Sequence, residues 1–301
     1  MMLEQGPILV ALDGSELAEK ALPYASALAD ALRTHLALVS VWDGTDSDLA
    51  SVLPTVALEM QQSADAHYTE YLNGIRARLA QPEIRTIVRT GDPSREIIKA
   101  ADETGARMLV IATHGRSGIG RWFYGSTAGN LLRSSHLPIL AVGPHSLERS
   151  DTVAIKHLMV PLDGSPLSEA ALPVAGKLAN ALGAAVSLVR VVRWAVQSYP
   201  YSLPDAYIPQ VDDELEAGAK TYLRRQEEAL KSVANVDAFV VRGSIADGLL
   251  DVVEKKSVDL VVMTTHARSG LARAALGSTA DRMLQGQAPI LLVPPEAVAT
   301  K

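Results

Sequence analysis

Short apolar runs recur along the chain, each followed by a longer stretch with helical spacing. Residues 8–12 are continuously apolar and predict a buried strand, and Ser15 stands where it can cap a helix over 16–32. A second strand is expected over 36–42, then a variable insert over 43–60 and a helix over 61–80. The pattern continues with a strand at 84–89 ending at Gly91, a helix at 93–104 and a strand at 108–112. A glycine-containing loop leads to a helix at 126–135 and a last strand at 139–142. Further strands are expected near 158–162, 186–192, 236–241, 259–263 and 290–293. Pro166 follows Ser165, which suits the first helical position after a cap. Strands that are apolar throughout and alternate with helices predict a parallel sheet covered on both faces. The expected class is α/β, doubly wound.

The second series of elements copies the first. Asp13 and Asp163 occupy matching places in ILVALDGSELAEKALP and HLMVPLDGSPLSEAALP, at an offset of 150. THGRSGIGRWFYGSTAGNLL from Thr113 matches THARSGLARAALGSTADRML from Thr265, at an offset of 152. Both copies close with Pro-Ile-Leu, at Pro138 and Pro289. Order is kept and drift is small, so a whole domain is duplicated. The polar stretch 143–157 lacks periodicity and holds the boundary, giving domains 1–149 and 150–301.

Composition narrows the function. Lys plus Arg is 28 against Asp plus Glu at 34, a net charge of -6. That balance argues against non-specific nucleic-acid binding, which needs excess positive charge. No run of eighteen apolar residues is present, so no membrane span is expected. The chain has no cysteine, which excludes disulfides, thiolate metal sites and a Cys nucleophile. The opening residues show no basic leader pattern and predict no signal peptide, and cytoplasmic residence fits.

Open parallel sheets bind ligands beyond the carboxyl ends of their strands, where strand order reverses. After the first strand of each copy comes Asp-Gly-Ser: Asp13 to Ser15, and Asp163 to Ser165. The Asp can accept from a ring or exocyclic N–H, or the triplet can be turn and cap chemistry alone. After the fourth strand come Gly115, Gly118 and Gly120, then Gly125, Ser126 and Thr127 at a helix start. Glycines admit an anion close to the backbone, and helix-start N–H groups favour phosphate. The bland alternative is a connecting loop. The order is neither the dinucleotide fingerprint nor a P-loop, because the GK[ST] ending is missing. In copy two Ala267 and Thr264 stand where copy one has Gly115 and Ala112, which crowds that site.

These residues together resemble the tandem universal stress proteins of the adenine-nucleotide-binding α/β superfamily, across nearly the whole chain. The family's ATP signature, G-x2-G-x9-G-[ST], falls on Ala112, Gly115, Gly125 and Ser126, and on Thr264, Ala267, Gly277 and Ser278. The resemblance implies two Rossmann-like domains of five strands each, paired by pseudo-twofold symmetry through their last strands. It implies an adenine site at Asp13 and Val41, with Ile111, Ala112, Gly115, Gly125, Ser126 and Thr127 on the phosphate side. Asp163, Val191, Gly277, Ser278 and Thr279 are the degenerate counterparts. ATP with Mg2+ is the implied ligand, and the implied output is a stress response through a protein partner, with further homodimerisation open.

Three functions compete: a protein in which ATP is a conformational ligand, a slow ATPase or autophosphorylating enzyme, and a nucleotide-free interaction module. Chemistry would need a positioned base and charge stabilisation, and neither a P-loop lysine nor a base is evident. His114 and His266 read as loop-bracing residues, the alternative being a phosphate ligand or an acid–base group. Arg116, Arg121, Arg268 and Arg273 read equally as phosphate partners or surface charges. The remaining histidines show no metal-ligand spacing. The Tyr- and Pro-rich stretch 199–209 reads as an extended covering loop, the alternative being a partner-binding surface or lid, and 214–231 as a solvated helix face.

Overall fold

Strand β1 (Ile8–Ala11) pairs in parallel with β2 (Leu36–Trp42) on one side and β4 (Met108–Ala112) on the other. Its residues Ile8, Leu9 and Val10 are each 0% exposed. Three consecutive buried residues point to alternate faces, so the sheet is covered on both. Strand β3 (Arg85–Thr90) adds outside β2, and β5 (Ile139–Val142) outside β4, both parallel. The order β3-β2-β1-β4-β5 reverses direction between β1 and β4.

The structure is a computed structural model that describes residues 6–44, 51–79, 81, 83–113, 125–148, 153–194, 208–264 and 277–294. The chain divides into two compact units, Met1–Val153 and Ala154–Lys301. In the second, β6 (His157–Pro161), β7 (Ala185–Val192), β8 (Val236–Arg242), β9 (Leu260–Thr264) and β10 (Ile290–Val293) repeat the first. Their order is β8-β7-β6-β9-β10, again all parallel. Among the described residues no helix is long and apolar enough to cross a membrane.

The helix expected over 16–32 is two helices, α1 (Glu16–Glu19) and α2 (Leu22–Ala31). Pro23 lies in the first turn of α2, has no N–H to donate, and its ring would meet the carbonyl of Glu19 in a continuous helix. The chain tightens there, with Ala21 N donating to Ala18 O at 3.2 Å. Pro173 imposes the same break between α6 (Pro166–Glu169) and α7 (Leu172–Leu182) of unit 2.

The insert expected over 43–60 is also corrected. Helix α3 (Pro54–Leu79) begins well inside it, while 45–50 lie outside the described residues. Its opening turns expose Val56, Leu58 and Met60, so no buried stripe marks them as helical in the sequence. The remaining helices are α4 (Pro93–Thr104) and α5 (Ser126–Ser134) in unit 1. Unit 2 has α8 (Ile208–Glu227), α9 (Ile245–Lys255) and α10 (Ser278–Met283). Asp92 caps α4 by accepting from Arg95 N at 2.9 Å, and Gly105 ends it at φ 62.

Candidate functional site

The Asp-Gly-Ser triplet is turn chemistry in both units. Asp13 Oδ1 accepts from Ser15 N at 2.9 Å and from Ser15 Oγ at 2.6 Å. Ser15 Oγ then accepts from Ala18 N at 3.2 Å and caps α1. Asp163 and Ser165 repeat the two bonds at 2.9 and 2.6 Å. Gly14 and Gly164 stand at φ 84 and 89, so the turn between Asp and Ser favours glycine. A carboxylate held this way has a fixed position at the end of β1.

That position opens on a cavity of about 370 Å3 at the carboxyl ends of β1, β2 and β4 in unit 1. Asp13, Val41, Ile111, Ala112, Gly125, Ser126 and Thr127 all line it. Asp43, Ile97 and Leu131 also line it, and sequence reasoning missed them. The site straddles the reversal of strand order, where open α/β sheets bind ligands. Ala112 sits within strand β4, a backbone that alanine adopts without strain. Gly115 lies outside the described residues, as do His114, His266, Ala267, Arg116, Arg121, Arg268, Arg273 and residues 199–207.

Helix α5 starts at the cavity wall. Gly125 precedes it at φ -52 and ψ 148, and among the described residues no side chain caps its first N–H groups. Gly125 N donates to Thr113 O at 3.2 Å, which fastens the helix start to the end of β4. A Cβ at Gly125 would meet no heavy atom within 4 Å. The helix start is therefore open towards the cavity, with N–H groups and the positive end of the dipole available to an anion.

Unit 2 differs. Its cavity, about 650 Å3, is lined by Ser278 and Thr279 together with Arg193, Ser244, Asp247 and Arg282. Asp163, Val191 and Gly277 are not in that lining. Arg190 lies against the Asp163 turn instead, its guanidinium 2.8 Å from where a Cβ on Gly164 would stand and 4.8 Å over the Tyr222 ring. The counterpart of Arg190 in unit 1 is the buried Ser40, which donates to Leu12 O at 2.8 Å.

Two phenols sit behind the turns. Burial raises the Tyr71 pKa well above its usual value, reinforced by the carboxylates of Glu19 and Asp13. Tyr222 is pushed up to about 12 by burial and then by Glu169. Both stay neutral near pH 7 and neither is a ready base. Among the described residues no cluster of three or more His, Asp or Glu could cage a metal.

A family model described as the universal stress protein family matches residues 6–143 and again 154–294. A universal stress protein of Mycolicibacterium smegmatis is 29% identical over 217 residues, covering 70% of this chain and 69% of that protein. One from Mycobacterium tuberculosis is 30% identical over 193 residues, covering 62% of this chain and 61% of that protein. The crystal structure of a universal stress protein from Archaeoglobus fulgidus superposes with a TM-score of 0.68 at 20% identity, covering 96% of this chain and 98% of that one, and so shares the fold. With one family matched twice in succession along nearly its whole length, the chain belongs to the universal stress protein family.

Proposed function

We propose that unit 1 binds an adenine nucleotide, ATP accompanied by Mg2+, as a conformational ligand in a cytoplasmic stress response. The observation that carries the reading is the uncapped start of α5, which opens onto the same cavity as Asp13 and Val41. The apolar walls from Val41, Ile97 and Leu131 suit a planar base, and Asp13 supplies an acceptor for its N–H groups. Ser126, Thr127 and the helix N–H groups suit phosphate oxygens, with Gly125 leaving room for them. Gly115 belongs to the same proposal through the signature spacing. A triphosphate bound at the start of α5 would bring a divalent counter-ion with it. Mg2+ is commonly held by substrate phosphates and a carboxylate or two, with no cage of its own. Binding would shift the protein only by favouring one state over another, and a protein partner would read that state.

Titration calorimetry with Mg-ATP, repeated with excess adenosine, tests this. We expect a heat that adenosine competes away, and that Gly125→Val removes. A Gly125→Val protein that keeps the adenosine-competed heat would sink the reading. Chromatography of nucleotide released from the purified protein is expected to show an adenine nucleotide.

A further inference from the structure

Among the described residues the linings of the two units' cavities carry opposite charge, and the reversal is traceable to single positions. Gly91 N donates to Trp42 O at 2.8 Å where β2 ends, and Gly243 N donates to Val192 O at 2.9 Å where β7 ends. Trp42 and Val192 are therefore equivalent in the backbone, and the residues that follow them are Asp43 and Arg193. Both line their unit's cavity. A second change acts in the same direction: Asn130 of unit 1 matches Arg282 of unit 2, at the offset of the shared Gly-Ser-Thr stretch. Among the described residues, the charged groups lining the unit 1 cavity are two carboxylates, Asp13 and Asp43. Those lining the unit 2 cavity are two guanidinium groups and the Asp247 carboxylate.

The two arginines differ in how far they are engaged. Arg282 lies 3.7 Å from Asp247 and donates to Gln285 at 3.3 Å, both loose contacts. Arg193 is exposed and makes no ion pair among the described residues. Three hydroxyls share the lining, from Ser244, Ser278 and Thr279. Ser244 precedes α9 without capping it through its side chain, whereas its counterpart Asp92 does cap α4. Guanidinium forks with hydroxyl donors around a hollow are the chemistry that recognises phosphate oxygens.

We propose that the unit 2 cavity is a polyphosphate-binding site, with Arg193 and Arg282 as its cationic contacts, taking a phosphate-rich anion without need of a base. This goes beyond adenine-nucleotide binding in unit 1 and stands if that reading fails. At the end of the second strand of a doubly wound sheet, a carboxylate suits a neutral sugar hydroxyl and an arginine suits a phosphate. The duplication has placed one of each in a single chain.

The test uses the full chain and inorganic tripolyphosphate in titration calorimetry, without nucleotide. We expect saturable binding that survives excess adenosine and survives Gly125→Val, and that weakens as salt rises. Arg193→Asp, which installs the unit 1 residue, is expected to weaken it at least about tenfold, as loss of a charge-assisted contact does. Arg282→Gln is the second variant and is expected to weaken it in the same direction. Thermal melts check that both variants fold. In the Gly125→Val protein, ATP binding no tighter than tripolyphosphate assigns the site to the anion alone and supports it, whereas clearly tighter ATP binding would mean that the base contributes and would overturn it. No binding of tripolyphosphate, wild-type affinity in Arg193→Asp, or loss of binding in Gly125→Val would overturn it. Adenosine competition for ATP reads unit 1 alone, so the two proposals fail separately.

Discussion

Asp13 and Ser15 are joined twice, through the backbone N–H and the hydroxyl of the serine, both reaching the same carboxylate oxygen. The turn and the cavity wall thus share one side chain. Asp13→Asn keeps an oxygen acceptor for the turn but removes the charge. The expected result is a melting temperature close to wild type with adenosine-competed ATP binding weakened roughly tenfold. Asp163→Asn, whose residue lies outside the unit 2 cavity lining, should leave both tripolyphosphate and ATP binding unchanged.

Gly125 and Gly277 match in sequence but not in backbone. Gly125 has φ -52 and Gly277 has φ 86. Gly125→Ala is expected to leave stability within about 1 kcal/mol, the scale of a helix-cap change. Gly277→Ala forces a side chain into a sparsely populated conformation and is expected to cost about 1–3 kcal/mol. Urea titrations of the two variants compare them directly.

Tyr24 is buried and donates to the carbonyl of Ser146 at 2.8 Å, holding the segment after β5 onto α2. Val174 occupies the matching place in unit 2. Tyr24→Phe keeps the ring and leaves that carbonyl short of a donor. A loss of about 1–2 kcal/mol is expected, read by denaturant unfolding.

The Asp237 carboxylate accepts from the Ser187 hydroxyl and pairs with Lys256 at 3.0 Å. Burial alone would raise its pKa, but Ser187 and Lys256 outweigh burial and hold it below the ordinary carboxylate value. A folded value below the unfolded one, about 3.9, means that the unfolded chain binds the proton more tightly. The contribution is thus complete above about pH 4 and is lost as pH falls through the folded value. Because the pair is half exposed, the contribution should stay under about 1 kcal/mol. Acid titrations of wild type and Asp237→Asn should differ above about pH 4 and converge below it.

In unit 1 taken alone, β5 is the last strand of the order and presents an edge of backbone donors and acceptors. A fragment of residues 1–153 is expected to self-associate, which sedimentation at increasing concentration would detect. A fragment that stays monomeric would count against the pairing through last strands that the family resemblance implies.

The alternation of strands and helices was legible because β1, β4, β5 and β10 are wholly apolar runs, while β3 and β8 mix in charged residues at the outer side of each unit's order. The break after Glu19 was legible too, in Pro23, and the helical spacing around it masked that signal. The start of α3 was not, since its first turns contribute almost nothing to a buried face and leave no periodic stripe. At the site, Asp13 and the Gly-Ser-Thr stretch stand out through their spacing, whereas Ile97 and Leu131 reach the cavity only through the packing of α4 and α5. Asp43 and Arg193 could have been found by laying one copy on the other, because only that alignment makes the reversed charge visible.

The bond from Gly125 N to Thr113 O ties the two ends of the intervening segment to each other and to the sheet. Lengthening a segment with anchored ends carries only a small entropic cost, about 0.6 kcal/mol per doubling. Insertions between residues 113 and 125 should therefore be tolerated without disturbing β4 or α5. Unit 1 is in that sense a socket for grafted sequences, in which new recognition can be selected from loop libraries while the nine-residue helix and its strand stay as they are.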